Sequence, residues 1–166
     1  MENINIQKNL EKVKNQEEKF IFKSFSNEDA LEIGLFIIEA AKNIKKPVAV
    51  NIVKNSQTVF HYAMDGTSPD QDVWIKKKSN VVLRHHHSSY YMRLYNELKN
   101  RSYFEFYSVS PFEYAIHGGA FPIMIEGSGV IGVITVSGLA QEEDHDMIVS
   151  AITKFLKTGS KNDDTW

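Results

Sequence analysis

"VAVNIVKNSQTVFHYAM", residues 48–64, decides the fold class. It holds two β-rich runs, 48–53 and 58–64, separated by Lys54, Asn55, Ser56 and Gln57, a pattern that predicts a β-hairpin. Alternation sorts Val59, His61 and Ala63 onto one face and Phe60, Tyr62 and Met64 onto the other. Both faces have apolar surface to bury, so helices should cover the sheet on both sides. A second hairpin follows downstream: "AFPIMIE" at 120–126 and "VIGVITVSG" at 130–138 flank Gly127, Ser128 and Gly129. Hairpin spacing at both places argues for an α+β fold with an antiparallel sheet, since parallel crossovers need longer connections.

Helical patterns fill the rest. Ile6, Leu10 and Val13 give residues 4–17 a narrow apolar stripe, which predicts an amphipathic arm. "FIFKSF" at 20–25 is a strand candidate. Ser26 is placed to cap a helix running to about Ile44, with Asn27, Glu28 and Asp29 in its first turn. That helix is apolar on more than one side, and Pro47 ends the segment. Ser68 or Asp70 caps a long helix expected from Gln71 to Lys99, on which Lys76, Lys77 and Lys78 read as a solvated face. Residues 101–119 are aromatic and irregular, and residues 141–156 form a last helix. The chain reads as one domain over 1–166, with a helical arm at 1–18 and a polar tail at 158–166.

Composition narrows the function classes. A net charge of -2 offers no electrostatic footprint for nucleic acid or an anionic membrane. There is no cysteine, hence no disulfide framework and no thiolate chemistry. No run approaches the ~20 apolar residues of a membrane span, and the first residues lack the apolar core of a signal peptide, so the expected location is cytoplasmic.

Five stretches carry a family resemblance: "NEDALEIG" near 27–34, "FHYAMDGTSPDQDVWI" at 60–75, "HSSYYM" at 87–92, "EYAIHGGAFPI" at 113–123 and "GVIGVITVSGLAQEEDH" at 129–145. Through them the chain resembles the HbpS/GlcG-like superfamily of haem-binding or haem-degrading type, most closely its UPF-type branch. The resemblance implies a profilin-like, three-layer α/β/α fold with a five-stranded antiparallel sheet, assembled into a homo-oligomer larger than a dimer. Where the branch usually has an aromatic residue and a glycine ahead of "HSSYYM", this chain has His85 and His86.

Candidate site residues follow. Successive helical residues point about 100° apart, so His85, His86 and His87 cannot converge on one metal within a helix. His85 falls on the apolar face with Trp74, Val81, Val82 and Met92 and is assigned to packing. His87 falls opposite, near Tyr90 and Tyr91, and is assigned a hydrogen bond at a pocket or interface. His117 precedes Gly118 and Gly119, either as a tight strand start or as a pocket wall. Ser137 and Gly138 precede the last helix, whose free N–H groups can hold an anion, although Glu142, Glu143 and Asp144 already supply negative charge there. The ligand-binding set is therefore His87, Ser88, Tyr90, Tyr91, His117, Gly118, Gly119, Ser137, Gly138 and Asp144.

A carboxylate with His87 and His117 is a further candidate constellation for a divalent metal. Haem or a divalent metal is implied by resemblance alone, histidine and tyrosine both being axial ligand types for haem iron. The expected function is a small-molecule-binding protein, with haem or another tetrapyrrole as the suggested ligand. The alternatives are an oligomeric scaffold or adaptor, and a metal-assisted enzyme using Asp144 with His117 or His145.

Overall fold

The computed structural model describes residues 2–159. Strands β2 (Ala49–Lys54) and β3 (Gln57–Ala63) form the first hairpin, and β4 (Ala120–Ile125) and β5 (Gly129–Ser137) the second. The first turn is tighter than expected: Lys54 pairs with Gln57, leaving Asn55 (φ 49°) and Ser56 (φ 66°) as its two corner residues. Positive φ at both corners is what the right-handed twist of the flanking strands requires. β2 and β5 join the hairpins antiparallel, with Ala49 opposite Ser137. The fifth strand departs from the expected antiparallel sheet. Of residues 20–25 only β1 (Ile21–Phe22) pairs into the sheet, and it lies parallel to β4 at the edge, giving the order β1-β4-β5-β2-β3.

Alternation builds the two sides of the sheet. Val50, Ile52, Phe121, Ile123, Ile134 and Val136 face helices α2 (Asn27–Asn43) and α6 (Gln141–Gly159) in the main core. Each such apolar side chain contributes about 1.5–3 kcal/mol by leaving water. On the reverse side Val53, Ala120 and Val133 meet Val82 of α3 (Pro69–His85), and Ser79 Oγ lies 2.8 Å from Thr135 Oγ1. Ser26 caps α2 as expected, its hydroxyl accepting from Asp29 N–H at 3.1 Å while Asp29 Oδ2 accepts from Ser26 N–H at 2.7 Å. Ser68 is the cap of α3. The outer side of α2 keeps Leu31 and Leu35 exposed, so the second apolar side is not covered by the described residues.

The expected 71–99 helix is two helices. α3 closes at His86, whose φ of 58° is left-handed, and α4 (Ser89–Leu98) restarts after Ser88, whose Oγ accepts from Tyr91 N–H at 3.1 Å. A serine able to cap two residues after a left-handed corner is favoured over a continuous ladder at this point. The break lets α4 turn back against α1 (Glu2–Lys19), whose Val13 is buried. The short α5 (Tyr103–Tyr107) packs aromatic rings against Val81 and Met92. At the other end α6 runs through Thr158 and Gly159, two residues expected in the tail, and the remaining tail lies outside the described residues.

Candidate functional site

Lys78 is buried, contrary to its expected place on a solvated face. It stands four residues from both Trp74 and Val82, on the stripe of α3 that meets the sheet, and is 2% exposed. A buried ammonium needs acceptors, and Lys78 Nζ has three: the Gly118 carbonyl at 3.1 Å, the Val136 carbonyl, and Asp144 Oδ2 at 3.3 Å. Three acceptors match the three N–H bonds of the charged form, so the pair rests as ammonium and carboxylate. The contact joins α3, the start of β4, the end of β5 and the first turn of α6.

Glycine makes that convergence possible. Gly119 has φ 120°, and a Cβ there would run into Lys78 Nζ, the Val136 carbonyl and Asp144 Cβ. Gly138, at φ 150°, brings the end of β5 against the Pro47 carbonyl. Asp144 Oδ1 accepts from Leu139 N–H at 3.0 Å, and Glu143 Oε2 accepts from Ala140 N–H at 3.2 Å. Carboxylates of the first turn of α6 thus answer two N–H groups of the segment leading into the helix, and they place negative charge where an anion would otherwise be favoured.

The electrostatics are those of a dry ion pair. Burial pushes the Asp144 carboxyl up to about 6, against the attraction of Lys78 and the hydrogen bonds from Leu139 and Gly138. Burial also lowers Lys78 from its ordinary value, with Asp144 opposing. Partial burial, then Arg93 and Lys78, lower His117, which favours its neutral imidazole.

Above the pair lies an open cleft of about 280 Å³, walled by Asp70, Gln71 and Trp74 from α3, by His117 and Gly118, and by Ser137, Gly138, Leu139, Gln141 and Asp144. Trp74 is held by Asp70, whose Oδ2 accepts from Nε1 at 3.2 Å, and its ring meets His117 edge-on at 5.0 Å. Gln141 Oε1 accepts from Gly118 N–H at 3.2 Å. The cleft offers a flat aromatic wall, an imidazole, amide and hydroxyl groups, and a carboxyl able to exchange a proton near neutral pH.

The expected ligand set divides. His117, Gly118, Ser137, Gly138 and Asp144 line the cleft, with Gly119 packed against Lys78 and Asp144 behind it. His87, Ser88, Tyr90 and Tyr91 lie at the α3–α4 corner instead and are not part of its wall. His87 Nδ1 bonds Glu17 Oε2 at 2.6 Å and stacks on Tyr91 at 4.1 Å, Ser88 N–H donates to Glu17 Oε1 at 2.6 Å, and Tyr90 packs on His145 at 5.1 Å. A metal constellation of His87, His117 and a carboxylate is not assembled, and among the described residues no group of three or more His, Cys, Asp or Glu is placed to hold a metal ion. His145 does not reach the cleft; it turns to α1, where Nε2 meets Gln16 Oε1 at 2.8 Å. His85 packs as expected, its Nε2 lying 2.9 Å from Tyr103 Oη.

Lys78, Asp70, Gln71, Trp74 and Gln141 were not among the sequence candidates. The available signal was Lys78 at helical spacing between Trp74 and Val82. No helix among the described residues is long and apolar enough to cross a membrane.

Comparison with known proteins agrees with this architecture. A UPF0303 protein of Psychromonas ingrahamii is 41% identical over 159 residues, covering 96% of this chain and 100% of that protein. The crystal structure of the Ybr137w protein superposes with a TM-score of 0.83 at 35% identity, covering 90% of this chain and 88% of that one. A PduOC:heme complex shares the fold, with a TM-score of 0.67 at 19% identity, covering 78% of this chain and 94% of that one. The family model described as haem degrading protein HbpS-like matches residues 25–153, and the chain therefore belongs to the HbpS-like family.

Proposed function

We propose that this chain is a small-molecule-binding protein that works in the cytoplasm as a homo-oligomer larger than a dimer, built on a profilin-like three-layer scaffold. Its ligand is held in the cleft between Trp74 and His117. The observation that carries the reading is the Lys78–Asp144 ion pair, 2% and 3% exposed, fixed beneath an open cleft. A charge pair that needs so many backbone partners is costly to bury, and such sites are frequent at functional clefts.

Haem is the ligand suggested by the family and by the haem complex with the same fold. The residues of one chain do not fit it. The cleft of about 280 Å³ falls just below the roughly 300–1,000 Å³ range of small-molecule pockets, and Trp74 and Leu139 are its apolar walls among mostly polar groups. Nor do His87 and His117 flank a common space. The cleft suits a small planar ligand that stacks on Trp74 and bonds to His117, Ser137 or Gln141. Of the further readings, the scaffold draws support from Leu31 and Leu35 exposed on α2.

Trp74 and Trp166 are the two tryptophans, so a Trp166→Phe variant makes Trp74 fluorescence a reporter of the cleft. A fragment set of planar heterocycles should include compounds that change this emission, and His117→Ala should weaken their binding at least about tenfold. A stoichiometric Soret band with haemin, lost in His117→Ala, would replace this reading with haem held between copies. If neither fragments nor haemin bind and the oligomer persists, the scaffold reading stands instead.

A further inference from the structure

The last turn of α1 carries two adjacent side chains that each hold a histidine from a different element. Gln16 Oε1 meets His145 Nε2 of α6 at 2.8 Å. Glu17 Oε2 meets His87 Nδ1 at 2.6 Å, and its Oε1 accepts Ser88 N–H at 2.6 Å. Apolar anchorage comes from Val13, buried on α1, from Ile6 and Leu10, half-buried on the same stripe, and from Phe20 against Phe121. The rest of the helix is mainly Lys, Glu, Asn and Gln.

The two histidines sit in different surroundings. His87 faces the Glu17 carboxylate with 42% of its side chain exposed. His145 is 1% exposed and packs between Tyr90 and Phe121, with ring centroids 5.1 and 5.8 Å away. Its Nδ1 has no hydrogen-bond partner among the described residues. A proton there creates a buried donor with nothing to receive it, a loss of about 1–3 kcal/mol or more when charged. Among the described residues no nearby charge compensates. Lys12 of α1 repels the cation, Asp146 of α6 is shared with Lys12 at 3.9 Å, α4 presents the Tyr90 phenol and β4 the Phe121 ring.

We propose that α1 is an acid-opened latch: a proton on His145 expels the Gln16–Glu17 turn from its seat on α4 and α6 while the sheet and its main core stay folded. This does not rest on the ligand reading of the cleft. Burial, with Lys12 second, holds His145 down to about 4 in the docked state. The docked form therefore binds fewer protons than the released one. The contribution of His145 to docking is fully present above the ordinary histidine value near 6.5 and is lost as pH falls toward 4. If release restores the ordinary value, His145 alone shifts the balance at pH 5 roughly 30-fold toward release relative to pH 7.5.

Hydrogen exchange on the full chain at pH 7.5 and 5.0, corrected for intrinsic rates, tests this by comparing α1 with α2. Protection in α1 should fall roughly 30-fold at pH 5.0 while α2 keeps its own. His145→Gln, which cannot take up the proton, should abolish the pH response of α1. Gln16→Leu should lower α1 protection already at pH 7.5 and leave the response in place. Unchanged α1 protection at the two pH values, equal losses in α1 and α2, or a full response in His145→Gln would overturn the latch. Should His145→Gln not fold, the contrast between α1 and α2 in the unmutated chain decides alone.

Discussion

Two acidic side chains tie distant parts of this molecule together, and they do so in different surroundings. Asp144 meets Lys78 with both side chains at 3–4% exposure, whereas Glu17 meets His87 with exposures of 7% and 42%. The first pair has backbone carbonyls and amides completing nearly every bond and lies beneath a cleft. The second borrows one backbone N–H and seats a surface helix. Full burial makes an ion pair sensitive to the loss of either partner and able to shift a carboxyl toward neutral pH. Partial exposure makes it a modest clamp that solvent can replace.

Breaking the buried pair should have the largest effect. Lys78→Met leaves the Asp144 carboxylate without a counter-charge, and urea denaturation at pH 8 should show a loss of about 3–5 kcal/mol. The pH dependence has a definite sign. A carboxyl whose folded value lies above its unfolded one binds more protons in the fold, so stability falls as pH rises through that window. Asp144 already titrates near 6 beside Lys78, and loss of the ammonium raises it further. The variant should therefore recover much of its loss by pH 5. A penalty equal at pH 5 and pH 8 would mean that Asp144 is not the group left stranded.

Gly119→Ala attacks the same contact from the backbone. With φ at 120° and Lys78, Val136 and Asp144 in the way of a Cβ, it should cost about 2 kcal/mol or more, measured by the same denaturation. Glu17→Gln is the matching test at the exposed pair. It keeps an acceptor for Ser88 N–H and should cost about 1 kcal/mol, read from the thermal midpoint. A loss as large as that of Lys78→Met would remove the distinction between the two pairs. The smallest change is a gain. His86 occupies a left-handed corner at φ 58°, and His86→Gly should stabilise the chain by roughly 0.5–1 kcal/mol. A loss instead would show that the imidazole makes contacts worth more than the backbone strain.

Features written in short-range patterns were legible in the sequence. Both hairpins, the cap at Ser26, a cap at Ser68 or Asp70 that the fold settles on Ser68, and the packing role of His85 all depend on neighbours a few residues apart, which a single chain displays directly. Lys78 was hidden because three consecutive lysines look alike until the sheet selects one stripe of the helix. Its spacing from Trp74 and Val82 was the one local sign. The corner at His86 was concealed by apolar residues on both sides of the 71–99 stretch, which mimic one long helix, although Ser88 was available as a second cap. The division of the expected ligand set follows from that corner: once α4 turns back against α1, His87 and Tyr91 move with it to Glu17. The parallel pairing of β1 involves two residues, Ile21 and Phe22, too few for any periodicity.

The most direct test of the account is electron density in crystals of the untagged protein, grown with a planar fragment selected by Trp74 fluorescence. The account predicts the fragment stacked on Trp74, within hydrogen-bond reach of His117 or Gln141, with the Lys78–Asp144 pair intact beneath it. Density for the fragment in another groove, or a haem bridging two copies through His117, would contradict it.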